Sequence, residues 1–167
     1  STATVRFSCA ARTDTGIVRS GNEDNYLMLA DRGVFVVADG MGGHAAGEVA
    51  SEMAVRIISR ELGSLRGLSD DQAGERMRHA IIEANSAIFD RTLTEHDKRG
   101  MGTTATALIL LPQRYILGQV GDSRAYLLRG GQFLQPMGLV KQRQQVPDFI
   151  RVGRAVAEHG GFELIDR

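Results

Sequence analysis

The chain has 167 residues, 43% of them hydrophobic and 24% charged, with 20 basic and 20 acidic side chains and a formal net charge of zero. That length suits one domain, that composition suits a packed core rather than disorder, and the charge balance lacks the footprint of a nucleic-acid or anionic-membrane partner. A single cysteine, Cys9, excludes an internal disulfide; with no membrane-length apolar run and no signal-peptide pattern, the expectation is a cytoplasmic protein without membrane insertion.

Val5, Phe7 and Cys9 alternate with Arg6 and Ser8, the period of a half-buried strand, with Cys9 expected as a small core residue. Tyr26–Leu29 and Val34–Ala38 are apolar runs around Asp31-Arg32-Gly33 and read as a hairpin. The second run is apolar throughout, as in a strand buried on both faces. Gly40 to Gly47 is a glycine-rich loop before a helix that carries Val49, Met53 and Ile57 at steps of four, with Ala50 and Ala54 beside them and Gly63 as its stop. Ser69 and Gln72 predict a capping box for a second helix, with Ala73, Met77, Ile81, Ala84 and Ile88 on one stripe.

Strands follow at Thr103–Leu111, Arg114–Val120, Arg124–Leu128 and Gln132–Gln135. Helices placed between groups of hairpin-linked strands predict antiparallel sheet with helices packed on it, rather than regular βαβ alternation. Over Met137–Arg167 the expectation is a helix that starts at Pro147-Asp148, holds Phe149, Ile150, Val152 and Val156, and ends near Gly160.

Three acidic positions lie at strand ends or in glycine-containing turns: Asn22-Glu23-Asp24, Asp39-Gly40 and Gly121-Asp122-Ser123. Taken singly, each is ordinary turn chemistry, and His44 alone is an ordinary loop histidine. A carboxylate held at the end of an apolar strand, however, needs a cation, a proton or hydrogen-bond donors. Hard oxygen donors without a nearby Cys or paired His favour Mg²⁺ or Mn²⁺ over Zn²⁺. The glycine run is not a nucleotide-triphosphate loop, since no Gly-Lys-Ser/Thr follows it.

In order, the motifs are Arg19-x-x-x-Glu23-Asp24, Asp39-Gly40-Met41-Gly42-Gly43-His44, Gly100-Met101-Gly102-Thr103-Thr104 and Gly121-Asp122-Ser123-Arg124. Together they resemble the metal-dependent serine/threonine protein phosphatases, the protein phosphatase 2C family, and its bacterial branch in particular. The resemblance runs from about Ala10 to Gln135 and is most specific over Asp39–Glu48. It implies an α+β fold of antiparallel sheets packed as a sandwich flanked by helices. It also implies hydrolysis of phosphoserine and phosphothreonine by a metal-activated water, with two or three Mn²⁺ or Mg²⁺ ions. By that resemblance Asp39 bridges two ions, the Gly40 carbonyl binds one of them, Glu23 with Asp24 serves the second, and Asp122 serves a third, weaker site. Arg19 grips the substrate phosphate, and His44 protonates the leaving alcohol. Phosphorylated proteins, opposite a serine/threonine kinase, are the implied partners.

The chain departs from the family after Asp122. Two further metal aspartates, one in a Ser-Asp-Gly and one in an Asp-Asn context, have no counterpart, since Asp148 and Asp166 lack those neighbours. The expectation is therefore one phosphatase-like domain over 1–167 with a divergent segment at 137–167, C-terminal strands missing and sheet edges exposed. Low activity of the isolated monomer follows, with an oligomer or an exchanged segment completing the core. The alternative is a catalytically impaired phosphatase-like module that binds or regulates a phosphoprotein partner.

Overall fold

The computed structural model describes residues 8–43, 46–111, 114–134, 150–154 and 161–165. In chain order the elements are β1 (Asp24–Leu29), β2 (Val34–Met41), α1 (Ala46–Glu61), α2 (Asp70–Thr94), β3 (Gly102–Thr103), β4 (Ala105–Leu110), β5 (Arg114–Val120), β6 (Arg124–Arg129), β7 (Gln132–Leu134), β8 (Ile150–Arg154) and β9 (Gly161–Ile165). Every strand pair is antiparallel. One sheet runs β1-β2-β4-β5-β8 with β3 attached to β2, and the other runs β7-β6-β9.

Alternation along the central strands builds three layers. Val34, Val36 and Ala38 of β2 pack with Ala107, Ile109 and Ile116 against the helices. The intervening residues Phe35, Leu108, Tyr115 and Leu117 meet Ala125 and Leu127 of β6 in a second core. The larger sheet is thus buried on both faces, which is why β2 and β4 read as continuous apolar runs. Full burial of side chains such as Ile58, Met77, Ile109 and Leu117 stabilises the fold by about 1.5–3 kcal/mol each.

The predicted hairpin forms between β1 and β2, joined by a 3₁₀ turn at Ala30–Arg32. Gly33 closes it at φ 65°, and a Cβ there would stand 2.6 Å from the Leu110 carbonyl oxygen. The residue must therefore be glycine for both conformation and space. On α1 the buried face is Ala46, Ala50, Ala54, Ile57 and Ile58, while Val49 and Met53 are only partly buried. Small side chains at its N-terminal end let the helix lie close on β2. The capping box of α2 is present: Ser69 Oγ accepts from the Gln72 N–H at 3.2 Å, and Gln72 Oε1 accepts from the Ser69 N–H at 2.9 Å. Its predicted stripe, Ala73, Met77, Ile81, Ala84 and Ile88, is buried. At Gly118 a Cβ would stand 2.8 Å from Met77 Cγ and 2.9 Å from Ile81 Cδ1, so α2 rests directly on the β5 backbone.

Three expectations are corrected. Ser8 and Cys9 belong to no strand and Cys9 is exposed; Val5 and Phe7 lie outside the described residues. An alternating pattern identifies a strand only where a neighbouring ladder accepts it. The helix predicted after Pro147 is replaced, at Ile150–Arg154, by β8, whose Val152 pairs with Ile116. Ile150 and Val152 alternate with Arg151 and Gly153, and β-branched residues at period two suit pairing with β5. Strands are thus present beyond β7, where C-terminal strands were expected to be missing: β8 pairs with β5 and β9 with β6, each with that one partner.

Candidate functional site

Asp39 and Gly40 belong to β2 itself, not to a loop after it, because β3 continues the ladder through Gly40↔Thr103 and Met41↔Gly102. The Asp39 backbone is held from one side. Its N–H donates to Thr104 Oγ1 at 3.0 Å, and its carbonyl accepts from the Thr104 N–H at 2.9 Å and from Thr103 Oγ1 at 3.0 Å. Asp24 is the register partner of Asp39 on the other side. A half-buried carboxylate whose main chain is fixed by three bonds has a defined direction and loses little entropy on gaining a ligand.

Glu23 is brought beside this strand end by its own backbone. The Glu23 carbonyl accepts from the Gly40 N–H at 3.1 Å and from the buried Ser51 Oγ of α1 at 2.5 Å. Asn25 Nδ2 donates to the same Ser51 hydroxyl at 2.8 Å. Two glycines make the approach of α1 to this corner possible. A Cβ on Gly40 would stand 2.0 Å from the Gly47 carbonyl oxygen, and one on Gly47 would stand 2.7 Å from Cδ of Glu23. The Glu23 carboxylate thus occupies a cradle at the first turn of α1, where backbone N–H groups favour negative charge.

Asp122 sits on an exposed turn between β5 and β6, after Gly121 at φ 94°. Arg19 lies on the exposed segment before β1. These parts converge: Arg19, Glu23, Asp39, Gly40 and Asp122 line one cleft of about 790 Å³. Asp24 is not on its wall; its N–H donates to Asn22 Oδ1 at 3.0 Å, which shapes the turn that presents Glu23. His44 lies outside the described residues.

Two further wall residues, Glu48 and Thr104, were not singled out as site residues from the sequence. Glu48 has a legible signal, an acid in the first turn of a helix. Thr104 stands in the Gly100–Thr104 motif, but nothing local shows that its hydroxyl reaches Asp39, 65 residues earlier in the chain.

The acidic and carbonyl donors on the wall are hard oxygens, as Mg²⁺ and Mn²⁺ prefer. Among the described residues no three His, Cys, Asp or Glu side chains converge on a single point. Such a donor set fits a small divalent ion that keeps most of its waters and takes one or two carboxylates from the protein. Arg19 is the only basic side chain on the described wall.

Comparison with known proteins gives a consistent result. The family profile described as protein phosphatase 2C matches residues 18–145. The chain is 40% identical over 153 residues to the serine/threonine protein phosphatase PstP of Mycobacterium tuberculosis, covering 89% of this chain and 27% of that protein. It is 39% identical over 153 residues to the serine/threonine phosphatase stp of Listeria welshimeri, covering 88% and 59%. The chain therefore spans less than two thirds of the length of either relative. Among solved structures, the catalytic domain of PstP in complex with two manganese ions superposes with a TM-score of 0.80 at 32% identity, covering 93% of this chain and 75% of that one.

Proposed function

Because the chain belongs to the protein phosphatase 2C family, matched over residues 18–145, we propose that it is a metal-dependent protein serine/threonine phosphatase acting on phosphoserine and phosphothreonine. The observation that carries this reading is the convergence of Arg19, Glu23, Asp39, Gly40 and Asp122, from three separate segments, on one cleft. A pure scaffold has no chemical need for that set.

In this reading Asp39 and Glu23, with the Gly40 carbonyl, hold Mn²⁺ or Mg²⁺, and Asp122 serves a more exposed ion. When bound, such ions supply a water acidified to near-neutral pKa and neutralise phosphoryl charge. The chain's own contribution is positional. β2 and its bonds to Thr103 and Thr104 fix the direction of Asp39. Ser51 fixes Glu23 through its carbonyl. Arg19 presents a guanidinium fork that takes two phosphate oxygens at once and stabilises the charge that develops there. His44 is assigned the proton transfer to the leaving alcohol. No protein nucleophile is used, and the only cysteine is exposed and absent from the described cleft wall.

The substrates are phosphorylated proteins, with a serine/threonine kinase as the opposing activity. The chain is read as one domain acting in the cytoplasm, and no helix among the described residues is long and apolar enough to cross a membrane. A second reading, a phosphoprotein-binding module of low activity, is favoured by one observation, that the family's two further metal aspartates after Asp122 have no counterpart in sequence context. Hydrolysis of a phosphothreonine peptide with Mn²⁺, with Mg²⁺ and with chelator tests the choice. Metal-dependent turnover establishes the phosphatase. A folded chain that binds the phosphopeptide without turnover establishes the module.

A further inference from the structure

We propose that the buried hydroxyl pair Thr104–Ser123 is a positioning device that couples Asp39 to the Asp122 turn and so sets how the two carboxylates are presented to divalent cations. This rests on the phosphatase reading above and assigns residues that it leaves unused.

The ladder beside β2 is interrupted here. β4 pairs with β2 as far as Val37↔Thr106, and β3 resumes at Gly40↔Thr103, with Ala38 and Asp39 between them. In that gap the Asp39 N–H finds a side chain instead of a strand carbonyl, donating to Thr104 Oγ1 at 3.0 Å. One lone pair of that hydroxyl is thereby used. What remains to it is directed at Ser123 Oγ, 2.7 Å away. Thr104 is 6% exposed and Ser123 2%, so both hydroxyls are buried and each is the other's partner.

The methyl end of Thr104 holds the other side. A Cβ on Gly121 would stand 2.7 Å from Thr104 Cγ2 and 2.9 Å from Thr104 Cβ, so the turn carrying Asp122 is seated directly on this residue. Gln119 Nε2 donates to the Ser123 carbonyl and closes the turn from behind. One side chain thus grips Asp39 with its hydroxyl and the Asp122 turn with its methyl group. Ser123, next to Asp122, ties the two grips together. Groups that orient metal-binding carboxylates in this way are worth about 10–100-fold in metal affinity.

The test uses the full 167-residue chain and Mn²⁺ alone, with free ion counted by electron paramagnetic resonance and metal-free thermal unfolding recorded in parallel. Thr104→Val keeps the methyl seat and removes the hydroxyl; Thr104→Ser does the reverse. Expected is a Kd for Mn²⁺ raised about 10-fold in Thr104→Val and in Ser123→Ala, with Thr104→Ser near wild type. Wild-type affinity in Thr104→Val, or equal losses in Thr104→Val and Thr104→Ser, overturns the hydroxyl device while leaving the phosphatase reading in place. If Thr104→Val does not fold, Ser123→Ala decides alone, and unchanged affinity there overturns the proposal. Absence of Mn²⁺ binding by the wild type overturns the phosphatase reading itself, and the device with it.

Discussion

The Glu23 carboxylate lies where a side chain at Gly47 would have to be. A Cβ on Gly47 would stand 2.7 Å from Cδ and 2.8 and 2.9 Å from the two carboxylate oxygens. The glycine at the start of α1 is therefore a space reserved for an acid from the loop before β1, 24 positions earlier in the chain.

Gly47→Ala should separate stability from function. The atoms in the way are the end of a flexible side chain, which can swing aside, and alanine in a helix is favoured over glycine by up to about 1 kcal/mol. The expected outcome is an unfolding midpoint equal to or above wild type, with weaker Mn²⁺ binding as Glu23 is displaced. Calorimetric unfolding and a Mn²⁺ titration on the same sample check both halves.

Gly40→Ala should behave in the opposite way. Its Cβ would meet backbone, the Gly47 carbonyl oxygen at 2.0 Å and the Glu23 carbonyl oxygen at 2.7 Å. Backbone on both sides cannot step aside without moving α1 from β2. A destabilisation of about 3 kcal/mol, the upper end of the overpacking range, is expected in urea unfolding.

Asp39→Asn keeps the shape and the backbone bonds to Thr103 and Thr104 while removing the charge. Even outer-shell partners of a metal are worth about 10–100-fold, so metal-dependent hydrolysis should fall by more than about 100-fold. The circular dichroism spectrum should not change. Equal turnover in this variant would show that the carboxylate is not where the ions bind.

Arg19→Ala removes the only basic side chain from the described wall of the cleft. Loss of one charge-stabilising donor should lower kcat/KM on a phosphothreonine peptide by about 100-fold. Because Arg19 is exposed, its melting temperature should match wild type. A change confined to KM would place the residue in substrate binding alone.

Ser69→Ala tests the fold away from the cleft. It removes the acceptor for the Gln72 N–H and opens the capping box of α2. The expected cost is about 1 kcal/mol in urea unfolding, with Mn²⁺ affinity unaltered.

The legible parts of this protein are those with local causes. The β1–β2 hairpin follows from two apolar runs around Asp31-Arg32-Gly33. The start of α2 follows from Ser69 and Gln72, and its buried face from a stripe at helical spacing. Each is decided by interactions within a few residues. At Cys9 and at 150–154 the local pattern does not decide the structure, for the complementary reason. Ile150 and Val152 suit helix or strand by pattern, and the choice is made by β5, more than thirty residues away.

At the candidate site the sequence by itself supplied the residue types, Arg19, Glu23, Asp39 and Asp122 in that order, and a family resemblance that the match over residues 18–145 bears out. Side-chain chemistry is a property of the residue and survives in one dimension. Only the tertiary structure decided which of them share a cleft, that Asp24 stands off its wall, and that Glu48 and Thr104 belong to it. It also decided why Gly40 and Gly47 are glycines and why Thr104 is a threonine. Those reasons are contacts of 2–3 Å between segments tens of residues apart, and close packing between distant segments leaves no periodic trace in a sequence.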